Sequence, residues 1–182
     1  MAAKIAGLLV GLWIVVAGAK ATEACGFWHM TDHEKKLDIN WLINSGAITS
    51  TKTKKRVGAL YLDIESKDGI KVVTSKRVVF DVKDGKLRRY GKPVGSLAAD
   101  AITIGKQSYM ITFSDQKPLH DMPSWTVTVK RGDDVIVDST DASALCAAMD
   151  RARTGKPMAD EEQQDEIRRR VAYYLAWRQL GS

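Results

Sequence analysis

Hydrophobic and polar residues alternate through most of the middle of this chain, and the pattern predicts short β-strands. In VGALYLDIE (57–65), Leu60, Leu62 and Ile64 share one face of an extended segment. Comparable runs follow along the chain: IKVVT (70–74), RVVFDV (77–82), KLRRY (86–90), AITIG (101–105), SYMITFS (108–114), WTVTVK (125–130) and DVIVDS (134–139). Turn sequences rich in Gly and Asp separate many of these runs, so we predict antiparallel hairpins.

The segment Phe27–Ser45 carries two competing signals. TDHE (31–34) fits a helix capping box, with Gly46 as a helix stop. KLDINWLI (36–43) alternates instead as a strand does. Its apolar side consists mainly of β-branched and aromatic residues, which favours a strand from about Lys36, preceded by a short turn.

Two other segments give weaker signals. The polar, basic stretch SGAITSTKTKKR (45–56) is interpreted as a loop or a hairpin arm with an exposed tip. GKPVGSLAAD (91–100) is interpreted as a connection, because it contains two glycines and a proline.

Near the C-terminus, the spacing of apolar residues changes from every second position to the period of a helix. DASALCAAMDRAR (141–153) predicts a short helix that ends before Gly155 and Pro157. A final helix is predicted from about Ala159 to Leu180, with acidic first turns and arginines in its middle.

The final helix has two apolar stripes. The first consists of Ile167, Val171, Tyr174 and Leu175, and the second of Tyr173, Trp177 and Leu180. We expect the helix to pack on the sheet, with docking of the second stripe on a partner or a membrane surface as the alternative. The predicted fold class is α+β: a mostly antiparallel sandwich or partial barrel of about eight short strands, followed by two C-terminal helices.

The first 21 residues are typical of a secretory signal peptide. Lys4 precedes an apolar run, and small residues around Ala21 fit a cleavage site. We therefore expect an exported, periplasmic or secreted protein with a β-rich domain at 22–157 and a helix at 158–182. Removing the two leader lysines lowers the formal net charge from +6 to +4, which does not indicate a nucleic-acid-binding protein.

Cys25 and Cys146 are the only cysteines. An even number of cysteines in an oxidising compartment favours a disulfide between them. Lipidation of Cys25 is the alternative, although Thr22 and Glu23 do not fit the apolar and small residues expected before a lipidated cysteine.

A metal site is the sharpest chemical hypothesis. His29 and His33 are four residues apart, so their rings are neighbours in a helix but lie about 13 Å apart in a strand. His120 and Asp121 are further candidate ligands, and zinc or copper would suit such a set. The signal lacks the CxxC and HExxH patterns that accompany many zinc sites.

No catalytic motif stands out. The chain has no GxSxG nucleophile elbow, phosphate loop or dinucleotide fingerprint. We therefore expect a non-enzymatic binding or accessory protein that engages another envelope protein. The alternative is a periplasmic metal-binding protein, and a hydrolytic enzyme is a third class.

The basic runs KTKKR (52–56) and KLRR (86–89) suggest weak contact with an anionic membrane or polysaccharide surface.

Overall fold

A closed antiparallel barrel encloses the core of the protein. The computed structural model describes residues 28–42, 45–63, 71–119, 122–142 and 159–181. Twelve strands follow one another around the barrel, and the first closes it by pairing with the last. The strands are β1 (Trp28–Asp32), β2 (Leu37–Trp41), β3 (Ser45–Ser50), β4 (Arg56–Asp63), β5 (Lys71–Thr74), β6 (Val79–Lys83), β7 (Lys86–Arg89), β8 (Lys92–Leu97), β9 (Ala101–Ile104), β10 (Gln107–Leu119), β11 (Met122–Arg131) and β12 (Asp134–Ala142).

The predicted sandwich or partial barrel of about eight strands with two helices is wrong. The structure has twelve strands in a closed barrel, and one α-helix among the described residues, α1 (Asp160–Ala176), continued by a π-helical turn (Trp177–Gly181). Of the predicted helix at 141–153, the first two residues belong to β12 and the others lie outside the described residues.

The predicted hairpins are confirmed, as is the strand predicted from about Lys36. Pairing of β4 with β5, β6 with β7, β9 with β10 and β11 with β12 matches the alternating runs. Between β6 and β7, Asp84 and Gly85 both have positive φ angles, of 51° and 68°. These angles are typical of the tight turn that Asp-Gly favours.

Two strands, β1 and β8, were missed because their side-chain pattern is mixed. In β1, the buried residues are Trp28, Met30 and Asp32, so a charged residue occupies a core position and hides the alternation. The connection predicted after β7 contains β8. The basic stretch interpreted as a loop or a hairpin arm contains β3, which is the arm of a hairpin with β4. In β8, a side chain at Gly95 would lie 1.9 Å from the Thr103 carbonyl oxygen of β9, so only glycine permits this pairing.

The barrel interior is filled by the C-terminal segment, which consists of α1 and the π-helical turn (160–181). From Ile167 to Trp177, residues around the whole circumference of the helix are buried. Residues of this segment contact different strands: Tyr174 bonds to Asp32 of β1, and the Trp177 ring lies against Gly58 of β4. An eight-stranded barrel is filled by its own side chains, and a twelve-stranded barrel is wider. The helix therefore occupies the extra space.

The helix runs from one end of the barrel to the other. Its start is bonded near the end of β10, where Gln116 donates to Asp160, and Arg168 donates to the Ala99 carbonyl between β8 and β9. Its last residues reach the turn between β1 and β2, where Arg178 meets Glu34. Within the described residues, no helix combines the length and apolar character needed to span a membrane.

Candidate functional site

Six hairpin turns meet at the end of the barrel where the C-terminal segment finishes. They connect β1–β2, β3–β4, β5–β6, β7–β8, β9–β10 and β11–β12, and the structure describes all of them. In or directly beside these turns lie twelve cationic residues: Lys35, Lys36, Lys52, Lys54, Lys55, Arg56, Lys76, Arg77, Arg89, Lys92, Lys106 and Arg131. The carboxylates in the same positions are Asp32, which is buried, and Glu34, Asp133 and Asp134. We call this surface the basic end.

The other end of the barrel has a different charge. Among the described residues there, α1 begins with Asp160, Glu161 and Glu162. Asp84 and Asp100 lie in the turns after β6 and β8. Lys71, Lys83 and Lys86 also lie at this end, so it is mixed in charge among the described residues, whereas the basic end is strongly cationic.

A polar pocket of about 230 Å³ opens at the basic end. Its walls come from two turns, the start of β10 and the C-terminal segment. The lining residues are Glu34, Lys35, Gln107, Tyr109, Arg131, Arg178 and Gln179. We call this cavity the end pocket. Its residues are widely separated in sequence, and only closure of the barrel brings them together.

A buried carboxylate anchors the floor of this region. Asp32 is fully buried, and its Oδ1 accepts a hydrogen bond of 2.7 Å from the Lys35 backbone N–H. Its Oδ2 accepts a hydrogen bond of 2.6 Å from the Tyr174 hydroxyl. The Arg178 Nε atom lies 2.9 Å from the same oxygen. Asp32 therefore ties the end of β1 to the C-terminal segment inside the barrel.

A second carboxylate continues the network toward solvent. Glu34 Oε2 lies 2.7 Å from Arg178 Nη2 and 3.1 Å from Arg131 Nη2. The hydrogen bond from Arg178 lowers the pKa of Glu34, although partial burial acts in the opposite direction. Burial acts to lower the pKa of Arg178, but its contacts with Glu34 and Asp32 outweigh burial and raise it. This pairing stabilises the folded state at neutral pH and is lost as the pH falls through the lowered pKa of Glu34.

Two neighbouring tyrosines of the helix are buried, and one of them, Tyr174, belongs to this network. Burial and the neighbouring charge of Asp32 raise the pKa of Tyr174 far above its ordinary value, so its hydroxyl keeps the proton that it donates. Burial raises the pKa of Tyr173 to about 12. Both phenols are neutral structural groups at physiological pH.

Two of the predicted metal ligands, His29 and His33, are not brought together. His29 lies on the strand β1 and His33 in the turn after it, so the helical spacing that a shared ion needs is absent. The Nε2 atom of His29 lies 3.3 Å from Asp38, and that of His33 lies 2.9 Å from Asp138. His120 and Asp121 lie outside the described residues. In the part of the chain that the structure describes, no three His, Cys, Asp or Glu side chains form a group suited to a metal ion.

The residues predicted to dock a partner lie inside the barrel. Tyr173 and Trp177 are buried, and Leu180 packs partly buried against the core. Their aromatic surface is used within the chain, where the Tyr174 and Trp177 rings stack with centroids 6.0 Å apart. The predicted disulfide partners Cys25 and Cys146 lie outside the described residues.

Comparisons of the chain with protein-family models, with curated proteins and with solved structures give no significant match. No family therefore supplies a function, a substrate or catalytic residues. Sequence reasoning also missed the network of Asp32, Tyr174 and Arg178. Its one local signal is that Asp32 continues the period-two series of Trp28 and Met30, which places a carboxylate on the inward face.

Proposed function

We propose that this chain is an exported, non-enzymatic binding protein that docks end-on, through its basic end, on an anionic lipid surface of the cell envelope. The excess of twelve cationic residues over four carboxylates at this end supports the proposal most directly. Polybasic surfaces gain about 1 kcal/mol for each Lys or Arg held near an anionic membrane. The aromatic stripe of the final helix is buried, so the basic end is the better candidate for a binding surface.

Exposed apolar residues at the same end favour a bilayer over a soluble polyanion. Val57, Tyr90 and Val135 are all at least 40 % exposed, and each lies in or near a turn of the basic end. Arg89 lies over the Tyr90 ring, 5.9 Å from its centroid. Tyrosine favours the membrane–water interface because its ring is apolar and its hydroxyl is polar.

Export and a Cys25–Cys146 disulfide are part of this proposal. The N-terminal leader pattern supports export. Strand pairing supports the disulfide, because β1 and β12 are antiparallel neighbours. Cys25 precedes the first residue of β1 by three positions, and Cys146 follows the last residue of β12 by four. Both therefore adjoin, in sequence, the same end of paired strands whose Cα atoms are about 5 Å apart.

Mass spectrometry of the mature chain tests export and the disulfide together. We expect a chain beginning at Thr22 whose mass is lower than that of the reduced chain by two hydrogen atoms. Reduction and alkylation should then label both Cys25 and Cys146. A free thiol in the untreated protein, or a diacylglycerol adduct on Cys25, would contradict the disulfide.

Co-sedimentation with vesicles tests the docking proposal. The mature protein should bind vesicles that contain phosphatidylglycerol, bind phosphatidylcholine vesicles weakly, and be released by salt. The double variant Lys52→Glu/Lys55→Glu should bind at least about thirtyfold more weakly, because two attractive charges become repulsive.

The matched control reverses two lysines at the other end of the barrel. Lys83→Glu/Lys86→Glu makes the same change in net charge. Because salt screens charges that lie far from the docked surface, this variant should alter vesicle binding by only about twofold. Equal weakening by both variants would show attraction by net charge alone and refute end-on docking. Binding to a soluble anionic polysaccharide with equal affinity would refute the lipid assignment.

A further inference from the structure

We propose that the end pocket binds the phosphate group of a small organic phosphate. Three cationic side chains, Lys35, Arg131 and Arg178, line it together with one carboxylate, Glu34. The lining therefore has a formal excess of two positive charges. The buried Asp32 behind Arg178 reduces this excess to one. A phosphate monoester carries about 1.5 to 2 negative charges at neutral pH, so pocket and ligand are opposite in charge.

The two arginines have different roles in this pocket. Arg178 is only 5 % exposed and is held by Asp32 and Glu34, so it is a fixed positive charge at the base. Arg131 is 38 % exposed and contacts Glu34 through Nη2. Its guanidinium has five N–H donors, so it can keep this contact and also bind a phosphate oxygen.

Neutral groups complete the site. The Tyr109 hydroxyl donates to Gln107 Oε1 over 2.5 Å, so the Gln107 amide nitrogen is left to donate to a ligand. The buried Oε1 of Gln179 has no hydrogen-bond partner within the described chain. Gln179 lines the end pocket, so its amide group offers a further donor to a ligand.

The size of the end pocket limits the ligand. Its volume of about 230 Å³ is less than the 300–1,000 Å³ typical of sites for drug-sized molecules. A phosphate group with a few carbon atoms therefore suits it better than a nucleotide. Such a group occurs in free phosphorylated metabolites and in lipid headgroups. Binding from solution needs no bilayer, so this inference does not depend on vesicle docking.

Isothermal titration calorimetry on the mature chain tests the site with glycerol 3-phosphate, inorganic phosphate and glycerol. We expect heat from both phosphates and none from glycerol. Arg131→Gln and Lys35→Gln should each raise the dissociation constant about tenfold, because each removes a charged donor. Tighter binding of glycerol 3-phosphate would support an organic phosphate, whereas equal or tighter binding of inorganic phosphate would overturn that assignment.

Lys106→Gln is the matched control, since Lys106 belongs to the basic end but does not line the pocket. It should leave the dissociation constant unchanged within about twofold. Equal weakening by all three variants would show diffuse attraction and overturn the site. Absence of heat with either phosphate would also overturn it, whatever the result with vesicles.

Discussion

The variant Asp32→Ala is expected to lose about 3–5 kcal/mol of unfolding free energy. The carboxylate of Asp32 is fully buried and accepts hydrogen bonds from Tyr174 and from the Lys35 backbone. Without it, the Tyr174 hydroxyl loses its acceptor, and Arg178 keeps Glu34 as its remaining carboxylate partner in the network. Urea denaturation followed by tryptophan fluorescence measures the loss as a lower midpoint at an unchanged slope.

Asp138→Ala is the control for this prediction. Asp138 lies on β12 beside β1, and its side chain is 46 % exposed and paired with His33. Removing an exposed ion pair should cost less than about 1 kcal/mol. Equal losses for the two variants would contradict a special role for the buried network.

The pair Gly58 and Trp177 should show strong coupling in a double-mutant cycle. Trp177→Ala should cost about 3–5 kcal/mol, because it removes a large buried side chain. Gly58→Ala should cost about 1–3 kcal/mol, because the added methyl group would lie 2.6 Å from the Trp177 ring. In the double variant the ring is absent and the methyl group has room. We therefore expect a total loss clearly smaller than the sum of the two single losses, measured by urea denaturation.

The control cycle combines Gly58→Ala with Trp125→Ala. Trp125 is also buried, but it lies near the start of β11, at the other end of the barrel from Gly58. Distant substitutions usually add to within about 0.5 kcal/mol, so this cycle should show additive losses. Additive losses for Gly58 and Trp177 as well would contradict the position of the helix inside the barrel.

The parts of the fold that depend on neighbouring residues were predictable from the sequence. Asp84 and Gly85 form a tight turn between two alternating runs, as their sequence predicts. The strand at Leu37–Trp41 was favoured by its β-branched and aromatic residues, and Ile39 and Trp41 are buried as expected. Such features need only the local preferences of a few residues.

The location of the final helix could not be predicted in this way. Its sequence predicts a helix, but stripes of apolar residues describe a helix on a surface equally well. Arg168, Arg170 and Arg178 are charged, yet they are largely buried and bonded within the chain. Their partners come from distant turns and from neighbouring helical positions, so local pattern gave no sign of their burial.

The candidate site could not be predicted from local pattern either, because its residues come from separate turns. Each hairpin turn contributes one or a few charges, and KTKKR (52–56) was recognised only as an isolated basic run. Alternate turns of an antiparallel barrel lie at the same end, which gathers these charges into the basic end. Among the described residues, the other end contains both acidic residues and lysines, so the net charge of the chain conceals the cationic cluster.

The sequence by itself determined the β-rich character, four of the hairpins and the final helix, because these depend on residues close together in the chain. Only the tertiary structure decided the number of strands in a closed barrel, the helix in its interior, and the meeting of Asp32, Tyr174 and Arg178. The physical reason is that strand pairing around a barrel joins positions more than a hundred residues apart. No local period or spacing records those contacts.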